Sequence, residues 1–251
     1  MGIRALHLTA GIFLAGVATG MPAVPSVMVA ESGEAAYGVA AGVFGEMWQK
    51  ATGARPPVIA CATPDDGAMP GGDIVLIGSD AANPVVHRLI LDGRIEQLGI
   101  RYGTDDYRIL SVPEGGRTLL VLAGGAGRST IYAAYDFFRR RAGVEYFWDG
   151  DVIPRRASID LAHCDITERP HFQYRGLRYF AHRGPHRFHA EMWDLDDWKR
   201  EIDWILKKRM NLFMLRTGID DLFQRAFDLP YPPEDGADPD AVPRSYDDRT
   251  S

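Results

Sequence analysis

Apolar and polar positions along the chain alternate between two periods. Residues 24–30 form an apolar, partly β-branched run, and beyond the polar stretch from Glu31 to Glu34 the residues Val39, Val43, Met47 and Trp48 recur near helical spacing. This predicts a strand and then a helix over 35–50. Thr52 and Gly53 stop the helix, and Pro56 and Pro57 keep it from continuing. Residues 58–62, 73–77 and 107–112 read as short strands between Gly, Pro and Asp clusters. An apolar run over 118–123 leads into Gly124, Gly125 and Gly127, and a helix is predicted over 131–141 with Ile131, Tyr135 and Phe138 on one face. Ser129 or Thr130 is placed to cap it. An aromatic-rich strand over 143–148 and an extended stretch to Leu161 follow. Strands alternating with helices predict an α/β or α+β layer rather than a bundle.

The character changes at the polar link 167–170. Residues 172–182 mix Tyr and Phe with alternating apolar positions and predict a strand, after which a His- and Arg-rich loop runs to His189. Asp194 reads as an N-cap, with Asp196 and Asp197 in the first turn where negative charge suits the helix dipole. Trp198, Ile202, Ile205 and Leu206 set an apolar stripe, and Lys207, Lys208 and Arg209 close the last turn. A second strand over 210–216 and a second helix over 220–227 complete the order strand, helix, strand, helix, which is how a (β/α)8 barrel begins.

The expected fold class is therefore α/β: an α+β N-terminal domain with a mixed sheet over 25–165, then the first two βα units of an incomplete TIM barrel over 171–228. An irregular Pro-, Asp- and Gly-rich tail over 229–251 ends the chain. The stretch from His171 to Ser251 is about a third of the roughly 250 residues a complete barrel takes. The expectation is a chain cut off inside the barrel, without the carboxylate pair that catalysis requires and inactive by itself.

Composition narrows the function. A formal net charge of −6, with no basic stripe, argues against a nucleic-acid partner. Residues 1–22 carry one early positive charge, a short apolar core and small residues near its end, the pattern of a secretory signal peptide and too short for a spanning helix. A secreted or periplasmic protein without a membrane span is expected. Two cysteines, Cys61 and Cys164, lack metal-site spacing and read as free thiols, although an oxidising compartment leaves pairing open. No metal or cofactor is expected; His182, His186 and His189 share one loop without a supporting carboxylate. The glycines at 124–127 resemble a phosphate cradle, but the lysine of a P-loop is missing and Thr130 stands where a dinucleotide fold has its third glycine.

Several stretches carry a family resemblance. Phe172, Tyr174, Arg175, Gly176 and Leu177, then Arg183, and after the helix Lys208, Arg209, Met210, Asn211, Leu212 and Phe213 resemble the opening of the barrel in β-N-acetylhexosaminidases. The helix bracketed by Trp193, Trp198 and Trp204, followed by Asn211 and Leu212, is more similar to the α-N-acetylglucosaminidase family. The glycine loop, Tyr132, Tyr135 and the segment from Gly143 to Trp148 resemble the small α/β domain that precedes the barrel in these enzymes and in α-glucuronidases.

The resemblance implies an exo-acting glycosidase of terminal amino sugars, with a carbohydrate as partner. Arg183 stands nine residues after Tyr174, where hexosaminidases place an arginine that grips the terminal sugar's hydroxyls. A planar guanidinium suits that task. Arg178, His182 and Arg216 lie on or near the same strand ends and join it as candidate sugar contacts. Asp220 and Asp221 resemble the Asp pair after the second strand of hexosaminidases, but Leu215 and Arg216 replace the histidines that precede that pair. No catalytic residue can be assigned. The alternatives are an α-glucuronidase-like or β-hexosaminidase-like activity, a non-catalytic carbohydrate-binding or interaction module, and a nucleotide-binding α/β protein.

Overall fold

The computed structural model describes residues 24–31, 34–62, 69–178 and 193–214. Its elements are β1 (Ser26–Ala30), α1 (Ala35–Thr52), β2 (Val58–Cys61), β3 (Ile74–Ile77), α2 (Pro84–Leu91), β4 (Tyr107–Glu114), β5 (Arg117–Gly124), α3 (Gly127–Ala142), β6 (Glu145–Phe147), β7 (Gly150–Val152), β8 (Asp165–Glu168), β9 (Gly176–Arg178), α4 (Leu195–Lys207) and β10 (Leu212–Met214).

Six strands form one mixed sheet in the order β2-β1-β3-β5-β4-β8. The first four run parallel, and β4 pairs antiparallel with both β5 and β8, Ile109 lying opposite both Leu122 and Ile166. Because helices cover both faces, β1 and β3 are buried along their whole length and read as continuous apolar runs instead of alternating ones. Val27, Val29, Val75, Ile77, Leu120 and Leu122 point to α1 and α3, where Phe44 packs within 5.6 Å of the rings of Phe137 and Phe138. Met28, Ile74, Leu76, Leu119 and Val121 point the other way, to α2 and to Ile95 and Leu98. Cys61 and Cys164 are both buried and are not joined in a disulfide. They sit in the cores on opposite faces of the sheet, which is why they do not meet.

The α/β class and the mixed sheet agree with the sequence. Helix α1 ends at Gly53, whose φ of 91° is the left-handed conformation a C-terminal glycine supplies. Helix α2 has no counterpart in the sequence reading: the Asn83 carboxamide accepts from the Val85 and Val86 amides and donates to the Ile77 carbonyl at 3.0 Å, tying the helix start to β3. Strand β8 was also missed.

Strands β9 and β10 form a parallel pair with α4 between them in sequence, Gly176 opposite Leu212 and Arg178 opposite Met214. This is one βαβ unit. Helix α4 has the expected cap, Asp194 accepting from the Asp197 amide at 2.8 Å while Asp197 accepts from the Asp194 amide at 3.1 Å. Its buried face differs from the predicted stripe: Ile205 is buried as expected, Ile202 is exposed, and Glu201 is buried in its place. The segments 1–22, 220–227 and 229–251 lie outside the described residues.

Candidate functional site

Of the candidate sugar contacts, Arg178 ends β9, side by side with the carboxyl end of β10. His182, Arg183, Arg216, Asp220 and Asp221 lie outside the described residues. The described chemistry concentrates elsewhere, in two places sequence reasoning did not mark: a polar clamp that holds the βαβ unit to the sheet layer, and a groove along α4.

The clamp is built on Asp105, in the loop before β4 and only 4% exposed at its side chain. One carboxylate oxygen accepts from Arg128 Nε at 2.6 Å, the other from Arg175 Nη2 at 2.7 Å and Asn211 Nδ2 at 2.6 Å. Asn211 also accepts from the Arg175 amide and donates to the Gln173 carbonyl, while Arg175 Nε reaches the Arg209 carbonyl at 2.7 Å. Arg175 and Asn211 belong to the motifs that carry the family resemblance. Here they join two layers of the molecule.

Around this centre, Tyr132 donates to the Met210 carbonyl, Tyr135 to Asp203, and Arg209 to the Tyr107 hydroxyl, which in turn donates to Asp136. Lys207 bridges Asp151 and Asp203 at 2.7 and 2.6 Å. Burial and the nearby Asp105 charge push the Tyr132 phenol up to about 12, so it stays a donor at any physiological pH.

Two buried carboxylates make this region acid-sensitive. Burial raises the Asp136 pKa, but the guanidiniums of Arg140 and Arg139 outweigh it and leave the group below its ordinary value. Hydrogen bonds from Arg101 do the same to Asp106. A depressed folded-state pKa contributes stability above the unfolded value, and that contribution is lost as pH falls below the ordinary aspartate value of 3.8. The Asp136→Asn variant, less stable at neutral pH, is expected to lose less stability than the parent between about pH 5 and about pH 3. Urea titrations across that range check it, and an unchanged acid slope would remove Asp136 from the account.

The glycine loop is filled by protein. A Cβ on Gly124 would meet Ser129 Oγ at 2.5 Å, one on Gly125 would overlap the Arg101 carbonyl oxygen, and one on Gly127 would overlap Glu34 Oε1. Each glycine is thus explained by a close approach of the chain to itself. The Glu34 carboxylate stands at the first turn of α3, where negative charge suits the dipole. Ser129 Oγ accepts from the Ala126 amide at 3.0 Å and completes the helix start. The place where a nucleotide phosphate would enter holds a side chain of this protein.

The groove runs between the β6–β7 hairpin and α4 and encloses about 400 Å³. Phe147 and Trp148 of the hairpin line it together with Trp193 and Trp204. Trp148 Nε1 donates to Glu201 Oε2 at 2.6 Å, which explains why a glutamate replaces Ile202 on the buried face of α4. Asp149, Asp151, Asp197 and Asp203 add further carboxylates, against Arg200 and Lys207 as the two cations.

No family model matches the chain. Over 130 residues, 52% of its length, it is 24% identical to α-N-acetylglucosaminidase of Homo sapiens, and the matched region covers 17% of that protein.

Proposed function

We propose that the chain belongs to an exo-acting glycosidase that hydrolyses the O-glycosidic bond of a terminal amino sugar. The observation that carries this reading is the similarity to human α-N-acetylglucosaminidase over half of the chain. The βαβ unit supports it, since the carboxyl ends of β9 and β10 lie side by side, and in barrel enzymes that face carries the site. In this reading Arg178, His182, Arg183, Arg216, Asp220 and Asp221 contact the sugar, and the TIM barrel and export through residues 1–22 belong to the same proposal. Glycoside hydrolysis needs two carboxyl functions on either side of the anomeric carbon, or one with a substrate acetamido group, and the 251-residue chain is assigned neither.

The test uses nitrophenyl glycosides. The protein isolated from its natural source is expected to release nitrophenolate from the α-linked N-acetylglucosaminide and not from the β-linked one or the α-glucuronide. The 251-residue chain alone is expected to match a heat-killed control. Release from the glucuronide instead, or turnover by the short chain, overturns the assignment. A non-catalytic carbohydrate-binding module is the second reading, favoured by the aromatic groove beside α4. Sugar binding without turnover in the isolated protein would select it.

A further inference from the structure

We infer that the surface shared by the loop 99–106, the first turn of α3 and the link 169–175 docks a protein segment that sets carboxylates beside apolar side chains. These three pieces are joined by their own bonds: Arg169 donates to the Gly99 carbonyl at 2.7 Å, Arg128 to Asp105 at 2.6 Å, and Arg175, at the end of the link, to the same aspartate at 2.7 Å. On this face Tyr102, Phe172 and Tyr174 are 54%, 73% and 69% exposed. Single exposed rings are ordinary, but three on two adjoining short segments mark a contact surface.

Charge selects the partner. Asp105 and Asp106 are buried, and each serves two guanidiniums: Arg128 and Arg175 on Asp105, Arg101 at 2.9 Å and Arg169 at 3.9 Å on Asp106. Four cations against two carboxylates leave two positive charges in excess, and counting Glu34 at the start of α3 still leaves one. Asp80, which accepts from the Tyr102 hydroxyl, bounds the patch on that side, and Glu168 is taken by Arg140. Arg101, Arg128 and Arg169 are each more than half exposed, and Arg128 commits only Nε to its aspartate, so N–H donors remain for a partner. The buried carboxylates fix these guanidiniums in advance, which lowers the ordering cost of binding. A nucleic acid or polyanionic glycan is held through many neutralised charges, and a patch with two in excess on a chain of net charge −6 offers too few. Arginine beside tyrosine is instead the composition that concentrates binding energy in protein interfaces. A segment with a few carboxylates next to Leu or Phe satisfies both the guanidiniums and the rings.

The surface is read from these side chains alone and does not rest on the glycosidase assignment. Displayed random peptides are selected on the immobilised 251-residue chain and counter-selected on a variant carrying Arg169→Gln, Phe172→Ser and Tyr174→Ser. All three positions are exposed, and Asp105 and Asp106 keep their shorter ion pairs, so the melting temperature is expected to stay within about 2 °C of the parent. The recovered peptides are expected to be enriched in Asp and Glu together with Leu, Phe or Trp. One of them, synthesised, is expected to bind the parent at least about tenfold more tightly than the triple variant, with an affinity that falls as salt is added. Phe172→Ser alone, at the most exposed of the three rings, is the second variant and is expected to weaken that peptide at least about threefold. Peptides that fail to separate the parent from both variants, or that lack acidic residues, overturn the inference. So does tighter binding of heparin or oligothymidylate than of the selected peptide, lost with the same substitutions, which would make the surface a polyanion site.

Discussion

Replacing Asp105 with alanine is expected to cost about 3 kcal/mol and to loosen the βαβ unit before the sheet. The carboxylate is the shared acceptor of Arg128, Arg175 and Asn211, and its removal leaves the Arg175 guanidinium, 19% exposed, without a counter-charge. Breaking a buried pair by deleting one partner costs about 3–5 kcal/mol, and the lower end applies because Arg128 is half exposed and returns to water. The measurement that localises the effect is amide hydrogen exchange. Protection in α4 and β10 is expected to fall while β1, β3 and β5 keep theirs, because the latter depend on the two apolar cores and not on the clamp. Asp105→Asn, which keeps one acceptor oxygen, is expected to lose less. A uniform loss across all elements would mean that Asp105 supports the sheet itself.

The second large effect is expected at Gly125. An added methyl there overlaps the Arg101 carbonyl oxygen and comes within 2.9 Å of that of Thr104. Both are backbone atoms, and the two segments are tied by the Gly125 amide to the Asp106 carbonyl at 2.8 Å and the Gly103 amide to the Gly125 carbonyl at 2.7 Å. Relief therefore requires breaking those bonds. Gly125→Ala is expected to cost about 3 kcal/mol, read as a lower urea midpoint. Gly38, inside α1 with nothing near its absent Cβ, is the control: alanine there is expected to stabilise by up to about 1 kcal/mol. Equal behaviour at the two positions would show that steric closeness at the loop has been overestimated.

These two sites differ in how visible they are from sequence. The glycines at 124–127 announce a tight turn by themselves, and so do Asp194 before α4 and Gly53 after α1, because caps and turns are settled by near neighbours. Asp105 carries no such signal. Its partners Arg175 and Asn211 lie 70 and 106 residues away, and only the folded arrangement makes one carboxylate serve both. The same reason hides Glu201, which periodicity would leave to solvent in favour of Ile202 and which is buried because Trp148, 53 residues earlier, hands it an indole N–H. Strand β8 was illegible for a different cause. Its sequence, Asp165 to Glu168, is polar, and it exists through backbone pairing to β4 at the sheet edge, which no side-chain pattern encodes. Of the candidate sugar contacts, Arg178 is in β9, inside the strand that the sequence predicts over 172–182, and the remaining five lie outside the described residues.

The Glu34 carboxylate at the start of α3 turns that helix end into a contest between a tethered anion and free ones. Glu34, the residue that precedes α1, is held beside α3 by the fold and has an effective concentration there of about millimolar or more. Its rivals, phosphate and sulfate in ordinary buffers, arrive only at their bulk concentration and must also give up free translation. The loop is thus occupied in advance, and a chain whose glycines look receptive to phosphate is one on which phosphate has little left to gain.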